Sequence, residues 1–424
     1  MKIVIVVLDG AADGVRFRPT SLELARTHGL DSIAKNSIAG CFHPIDDRTP
    51  PESDAAVFSI LGYNPKEINI GRGILEVLGI GLVIREGYEV AFRANFATVD
   101  PKSMKIIDRR VGRGLTSEEA RELAKAIDGI DLSIHGGYAR VVATVGHRAV
   151  VIIGSKEKKL SANVSNTDPA YDRVERISIA LESYKSYVAP CRPLDNSIEA
   201  SITCELVNVF MSKVVEVLDN HEINIQRAKK GLLKANALLL RDAEDRIPPI
   251  VSIKQLHNKS FGIVAEMPVE IGIGALLGME VAKVSLYGEK EVLYRERVEA
   301  TLKLLDRNDV VYVHLKGPDE PGHDGDKARK VKSIEVIDEL FIQPLLKYID
   351  TEQTAVVITS DHCTPPELKA HSSDPVPIMV SYRGLKQYDG ISKFTEPECC
   401  AKGSLGVIPS GYLVLNKVFR LLEQ

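Results

Sequence analysis

A chain of 424 residues with 44% hydrophobic side chains exceeds one core of typical size, so at least two domains are expected. Its 54 basic and 58 acidic side chains leave a net charge of −4, which argues against a nucleic-acid or anionic-membrane partner and confines any basic patch to a local cluster. The first apolar run is too short for a signal segment or a membrane span, so a cytoplasmic protein is expected. The scattered cysteines (Cys41, Cys191, Cys204, Cys363, Cys399 and Cys400) lack C-x-x-C spacing and call for no disulfide framework.

The run Ile3 to Leu8 predicts a buried strand closed by Asp9. Helices are expected around Ser21 to Lys35 and from Ser53 to Leu61, so residues 1 to about 75 read as an opening α/β unit. The pattern then changes. Alternating segments at Tyr88 to Val99 and Ala139 to Ile153, the latter turning at Gly146-His147, bracket a helix whose start is marked by Thr116 with Glu119 three residues on. Residues 76–195 therefore read as an inserted α+β domain. A long amphipathic helix, about 197 to 219, is expected to begin near Asn196 and Glu199. Strands follow near 235–240, 261–265, 310–316 and 355–360. The fold class is α/β, with a mostly parallel central sheet flanked by helices and a discontinuous core, 1–75 with 196–424.

Carboxylates fall just past three of these strands, at the sheet edge where α/β folds bind ligands. Asp9 follows the first; Asp319 and His323 lie in Asp-Glu-Pro-Gly-His; Asp361-His362 ends the last, with His371 beyond. Such oxygen and nitrogen donors suit first-row divalent ions, and there are enough of them for two. Pro321 and Gly322 predict a turn that swings Asp319 and His323 toward one ion, completed by His371. Asp9, Asp361 and His362 would hold the other. Any one of these aspartates alone reads better as a turn former, but three of the ten histidines beside strand-end aspartates outweigh that reading. Ser53, at a helix start, is the candidate nucleophile, although taken alone it reads as an N-cap. Cys363 beside His362 reads as a small apolar filler rather than a soft ligand.

The segments Val-Leu-Asp-Gly (7–10), Ser-Asp-Ala-Ala-Val-Phe-Ser-Ile-Leu-Gly-Tyr-Asn-Pro (53–65), His-Leu-Lys-Gly-Pro-Asp-Glu-Pro-Gly-His-Asp-Gly-Asp (314–326) and Thr-Ser-Asp-His (359–362) resemble the archaeal type of cofactor-independent phosphoglycerate mutase, a branch of the alkaline phosphatase superfamily. The likeness runs over nearly the whole chain. It implies an alkaline-phosphatase-like core with an inserted substrate-binding domain. It also implies an isomerase that interconverts 3-phosphoglycerate and 2-phosphoglycerate, in glycolysis and gluconeogenesis, without 2,3-bisphosphoglycerate. In that family the serine matching Ser53 is phosphorylated during turnover and binds one metal with the residues matching Asp9, Asp361 and His362; Asp319, His323 and His371 match the ligands of the other. Two Mn²⁺ ions are expected, with Zn²⁺, Co²⁺ or Mg²⁺ compatible.

A small phosphorylated carboxylic acid favours bidentate guanidinium contacts. The insert offers Arg93, Arg109, Arg110 and Arg113, and Lys316, two residues past His314, is a further candidate. Two stretches depart from the family pattern: Pro51-Glu52, where a glycine usually precedes the serine, and Asn166-Thr-Asp-Pro-Ala170, which lacks the usual following histidine and lysine. The rival readings are a metal-dependent phosphatase acting on another ester and a non-catalytic metal- or phosphate-binding protein. A homo-oligomer is compatible with the sequence.

Overall fold

Apolar β-branched runs buried on both faces favour parallel strands covered by helices. The computed structural model describes residues 1–68, 70–174, 177–181 and 183–423, and it forms two units: 1–68 with 250–424, and 69–249. In the first unit, β1 (Lys2–Leu8), β2 (Ser37–Phe42), β3 (Phe261–Ala265), β4 (Glu280–Lys283), β5 (Val310–Leu315), β6 (Thr354–Thr359), β7 (Val376–Ser381) and β8 (Val407–Ile408) make one sheet, in the order β4-β3-β5-β1-β6-β7-β2-β8. Strands β3, β5, β1 and β6 are parallel; β7 runs antiparallel to its neighbours β6 and β2. On one face Val4, Val6, Leu8, Val311 and Val313 pack with Ile334, Ile337 and Phe341 in a continuous core. Each such side chain, fully buried, contributes roughly 1.5–3 kcal/mol. Leu8 lies opposite Leu315, and Val7 opposite Thr359, so the C-terminal ends of β5, β1 and β6 reach one edge together.

Two local expectations change. The stretch from Ser21 is two helices, Ser21–Leu24 and His28–Ala34, because Ala25 is extended at φ −70° and ψ 144°. Asp319 to His323 is not a turn but the start of a short helix, Asp319–Asp324. Pro321 falls in its first turn, where a missing N–H leaves no hydrogen bond unmade, and the i, i+4 spacing puts Asp319 and His323 on one helix face.

The second unit is an antiparallel sheet with helices. Strand Glu89–Val99 pairs with Ile106–Asp108, Arg148–Ser155 and Ala237–Glu244, and Arg148–Ser155 pairs with Gly137–Ala143. Helix Ser117–Ile127 starts at the predicted capping box of Thr116 and Glu119. The long helix Ile198–Asp219 is capped by Ser197, whose side chain accepts from Ala200 N–H, rather than by Asn196. Its Leu206, Val207, Phe210 and Val214 join one core with Phe92, Phe96 and Leu123, so this unit extends past residue 195 to 249. Among the described residues no helix is long and apolar enough to cross a membrane.

The cysteines also depart from expectation. Cys41 on β2 is bonded to Cys400 on helix Glu396–Lys402 and Cys191 to Cys204, with Cα separations of 5.1 and 5.0 Å. Neither sequence separation, 359 or 13, carries a disulfide signature; the folded chain alone brings the partners within bonding range. Cys363 is free and buried, a small filler as expected.

Candidate active site

The chain must turn sharply after β1 for Asp9 to face the sheet edge, and Gly10 makes that turn at φ 59°. A Cβ there would also lie 2.7 Å from Asp319 Oδ1 and 2.8 Å from Thr364 Oγ1, so glycine admits those groups. The N–H groups of Gly10 and His362 both donate to Asp361 Oδ1, at 2.9 and 3.0 Å. That pins the carboxylate and leaves Asp361 Oδ2 buried with no hydrogen-bond partner, as is Asp9 Oδ1. His362 Nε2 lies 3.4 Å from Asp9 Oδ1, 3.3 Å from Asp361 Oδ2 and 3.2 Å from Ser53 Oγ.

The imidazoles are held by their other nitrogens. His371 Nδ1 meets the Pro51 carbonyl at 2.6 Å and His323 Nδ1 the Lys369 carbonyl at 3.1 Å. A carbonyl only accepts, so both Nδ1 atoms carry a proton and, in the neutral rings, both Nε2 atoms offer lone pairs. Those Nε2 atoms converge at 3.1 Å, and Asp319 Oδ1 lies 3.5 and 3.4 Å from them. The arrangement presents electron pairs from Asp9, Asp361, His362, Asp319, His323 and His371 with few donors to meet them. Unsatisfied buried acceptors are costly, and a divalent ion with nitrogen and oxygen preference fits them. Two of the three candidate ligand groups among the described residues are Asp319 with His323 and His371, and Asp9 with Asp319 and His362; the third is Asp9 with His314 and Asp361.

Beneath this cluster the charges are arranged in a fixed order. Lys316 Nζ lies 3.0 Å from Asp9 Oδ2 and 2.7 Å from Glu270 Oε1, a buried carboxylate on helix Pro268–Leu276. Burial opposes ionisation of Asp9, but Lys316, together with His362 and His314, holds it well below the usual carboxylate range. Burial and the neighbouring Asp9 push Asp361 well above that range. The two neighbouring carboxylates are thus driven in opposite directions. His314, driven down to about 4 by burial and by Lys316, is neutral, and its Nδ1 meets the Tyr312 hydroxyl at 3.1 Å.

Ser53 opens helix Ser53–Ile60, whose N-cap position is Glu52. Its hydroxyl is directed at His362 rather than at a helix N–H, so it is not acting as a cap. The helix start supplies a field that favours an oxyanion.

The second unit carries a concentrated basic cluster. Arg72 Nε and Arg93 Nε lie 3.7 and 3.8 Å from Glu76 Oε1, and Arg241 Nε is 3.9 Å from Asp242 Oδ2. Burial, with Arg72 and Arg241 beside it, pushes Arg93 down to about 9; burial and Arg72 also lower Arg148. His147 is pushed down to about 4 by burial and then by Arg148, Arg110, Arg113 and Arg93. Arginines that depress one another in this way attract an anion. Arg109 instead holds Asp168 in a two-point pair at 2.9 and 2.5 Å. Half-buried Arg110 and exposed Arg113 line a cavity of about 510 Å³ with Asp108 and Tyr184.

Residues 34–224 match the family model described as 2,3-bisphosphoglycerate-independent phosphoglycerate mutase. A curated protein of that name from Aeropyrum pernix is 44% identical over 428 residues, covering 100% of both chains. The chain belongs to the 2,3-bisphosphoglycerate-independent phosphoglycerate mutase family. Its relative named phosphoglycerate mutase 1 from Archaeoglobus fulgidus is 37% identical, covering 100% of this chain and 98% of the other. The solved cofactor-independent phosphoglycerate mutase from Thermoplasma acidophilum is 30% identical with a TM-score of 0.63, covering 99% of this chain and 100% of that one.

In this member of the mutase family, Asp9, Ser53, Asp319, His323, Asp361, His362 and His371 all lie within one cluster of the first unit, and Lys316 lies beneath it against Asp9. Arg93 sits inside the basic cluster of the second unit, Arg110 and Arg113 at its margin, and Arg109 is engaged by Asp168. Sequence reasoning missed Arg72, Arg148 and Arg241, and also Glu270 and Thr364. One signal was available: Arg72 stands in a Gly-Arg-Gly triplet, the pattern also found at Arg113.

Proposed function

We propose that this chain is an isomerase that interconverts 3-phosphoglycerate and 2-phosphoglycerate without 2,3-bisphosphoglycerate, through a phosphoserine at Ser53. The observation that carries the reading is the approach of Ser53 Oγ to His362 Nε2, at 3.2 Å, beside two buried carboxylate oxygens, Asp9 Oδ1 and Asp361 Oδ2, that have no hydrogen-bond partner. Asp9, Ser53, Asp361 and His362 would hold one divalent ion and Asp319, His323 and His371 another, with Mn²⁺ expected first and Co²⁺ or Zn²⁺ compatible. When bound, the ions supply Lewis acidity toward the phosphoryl oxygens and favour the ionised serine.

Ser53 Oγ attacks phosphorus in line, from a helix start that favours its negative charge. A bond forms between Oγ and phosphorus as the bond to the glycerate oxygen breaks, and the departing oxygen takes up a proton in place of the one serine gave up; return to the neighbouring hydroxyl reverses the exchange. The glycerate must stay bound between the two transfers. We assign its recognition to the basic cluster, with Arg93 at its centre and Arg72, Arg148 and Arg241 around it, because a phosphate and a carboxylate on one small molecule both pair with guanidinium. Arg110 and Arg113, which line a cavity of the same unit, are further candidates, and Arg109 is engaged by Asp168.

The test is an enolase-coupled assay with Mn²⁺ and no added 2,3-bisphosphoglycerate. Conversion of 3-phosphoglycerate is the expected result. Release of inorganic phosphate alone would replace this reading with that of a phosphatase.

A further inference from the structure

Thr364 stands two residues past His362 and is fully buried. Its Oγ1 lies 2.9 Å from His362 Nδ1 and 2.7 Å from Asp319 Oδ1. A threonine hydroxyl has one hydrogen, and a carboxylate has none to give, so that hydrogen goes to Asp319. The oxygen must then accept from His362, which fixes the proton on Nδ1 and turns the Nε2 lone pair toward Ser53.

The backbone of Thr364 is itself held in place. Its backbone N–H donates to the Ala12 carbonyl at 2.9 Å. Its carbonyl accepts from Lys330 Nζ at 2.8 Å, and the same buried ammonium reaches Ala12 O at 3.1 Å and Asp13 Oδ1 at 2.5 Å. The loop after β1 and the loop after β6 are thereby tied through one cation. The neighbours also leave room: a Cβ on Gly322 would lie 2.5 Å from the Thr364 carbonyl oxygen and 2.9 Å from its Cγ2, so glycine lets the helix carrying Asp319 and His323 approach. No other hydroxyl hydrogen-bonds to ligands of both proposed groups among the described residues.

We propose that Thr364 is a positioning residue that couples the two metal-binding groups: its hydroxyl sets the tautomer of His362 in one and the orientation of Asp319 in the other, so that filling either group favours filling its neighbour. This rests on the two-ion reading above. The coupling is reciprocal, because each ion gains from the order the other imposes. Loss of an outer-shell hydrogen bond to a metal ligand typically costs about 10–100-fold in affinity.

The experiment titrates metal-free wild type, Thr364→Val and Thr364→Ser with Co²⁺ at fixed pH, followed by visible absorption and calorimetry. Wild type is expected to take up two ions with positive coupling. Thr364→Val should bind the ion at the His362 group about 10–100-fold more weakly and lose the coupling, while Thr364→Ser should stay near wild type. Two ions bound by Thr364→Val with wild-type stepwise affinities and spectrum would overturn the proposal and leave the two-ion reading standing. Fewer than two ions in wild type would overturn both, and the wild-type stoichiometry alone tells these failures apart. A second measurement needs no folded variant of Thr364: ¹⁵N spectra of histidine-labelled, metal-free wild type, with His362 assigned from a His362→Asn sample, should report a protonated Nδ1. A protonated Nε2 with a bare Nδ1 would count equally against it.

Discussion

His323 and His371 point their Nε2 atoms at each other across 3.1 Å while their Nδ1 atoms are tied to the carbonyls of Lys369 and Pro51. Two lone pairs at that distance repel unless a proton or a metal ion lies between them. Chelation is therefore expected to abolish turnover and to lower the melting temperature, since an ion that binds only the folded state stabilises it by mass action. Mn²⁺ or Co²⁺ should restore both and Ca²⁺ should not, because Ca²⁺ prefers all-oxygen sites. Asp361→Asn should lose metal occupancy together with rate. Full activity after exhaustive dialysis against chelator, checked by elemental analysis, would end the metal reading.

Ser53 hydrogen-bonds to His362 instead of capping its helix. Ser53→Ala should thus leave the fold intact and lower the mutase rate by at least about 10³-fold, as removal of a covalent nucleophile does. Metal binding should weaken but survive through the remaining ligands. Wild type quenched in acid after mixing with labelled phosphoglycerate should carry the label on the Ser53 peptide, located by mass spectrometry. Label on a histidine peptide would redirect the mechanism.

The cystines give a test that does not depend on catalysis. Cys41–Cys400 closes a sequence separation of 359 and Cys191–Cys204 one of 13. By loop entropy the shorter link alone is worth roughly 3 kcal/mol and the longer one more. Non-reducing peptide maps should recover both linked pairs. Dithiothreitol, or Cys41→Ser with Cys191→Ser, should lower the melting temperature measurably, whereas Cys399→Ser should respond to reductant as wild type does.

How far the site was readable depends on how local each signal is. Asp9, Asp319 and Asp361 each follow an apolar run, so a strand end and its carboxylate can be recognised within ten residues of sequence. The helix at Asp319 was missed because Pro321 and Gly322 suggest a turn, although proline is harmless in a first helical turn. Arg148 and Arg241 could not be found locally. They join Arg93 through strand register, which sets Arg93 opposite Arg241 and Asn95 opposite Arg148, whereas Arg72 reaches it from the start of helix Arg72–Gly79, across the shared Glu76. The Cys41–Cys400 link fails for the same reason, since partners 359 residues apart meet only in the finished sheet and its covering helix. Thr364 escaped notice because a threonine after Asp-His-Cys carries no pattern of its own; its meaning lies in two hydrogen bonds.

His147 provides the pH dependence. Its ordinary value near 6.5 falls to about 4 through burial and the surrounding arginines, so the folded state holds it neutral while the unfolded chain binds a proton. Its contribution to stability is fully present above pH 6.5 and is lost as pH falls from there toward 4. His147→Asn should flatten that limb of the melting-temperature profile. Inorganic phosphate should raise the His147 value by offsetting the arginine charges, visible as a shifted titration of its ring signals in NMR. A His147 titration near 6.5 that phosphate leaves unmoved would place the anion elsewhere.

The basic cluster offers a test that separates mutase from phosphatase. If Arg93 and its neighbours retain the glycerate while the phosphoryl group rests on Ser53, their loss should harm phosphoryl return more than phosphoryl removal. Arg93→Ala, Arg148→Ala and Arg241→Ala are each expected to lower 3-phosphoglycerate conversion by about 10–100-fold, the equivalent of one charge-assisted contact of roughly 1.5–3 kcal/mol in the transition state. Hydrolysis of a small aryl phosphate needs no glycerate contact and should change much less. Arg109→Ala should act differently, because its guanidinium holds Asp168 at 2.5 Å and its removal leaves that buried carboxylate unpaired. It should lower the melting temperature as well as the rate. Arginine variants that reduce both reactions equally would assign the cluster to phosphate binding alone, and variants that keep the wild-type mutase rate would remove it from substrate recognition.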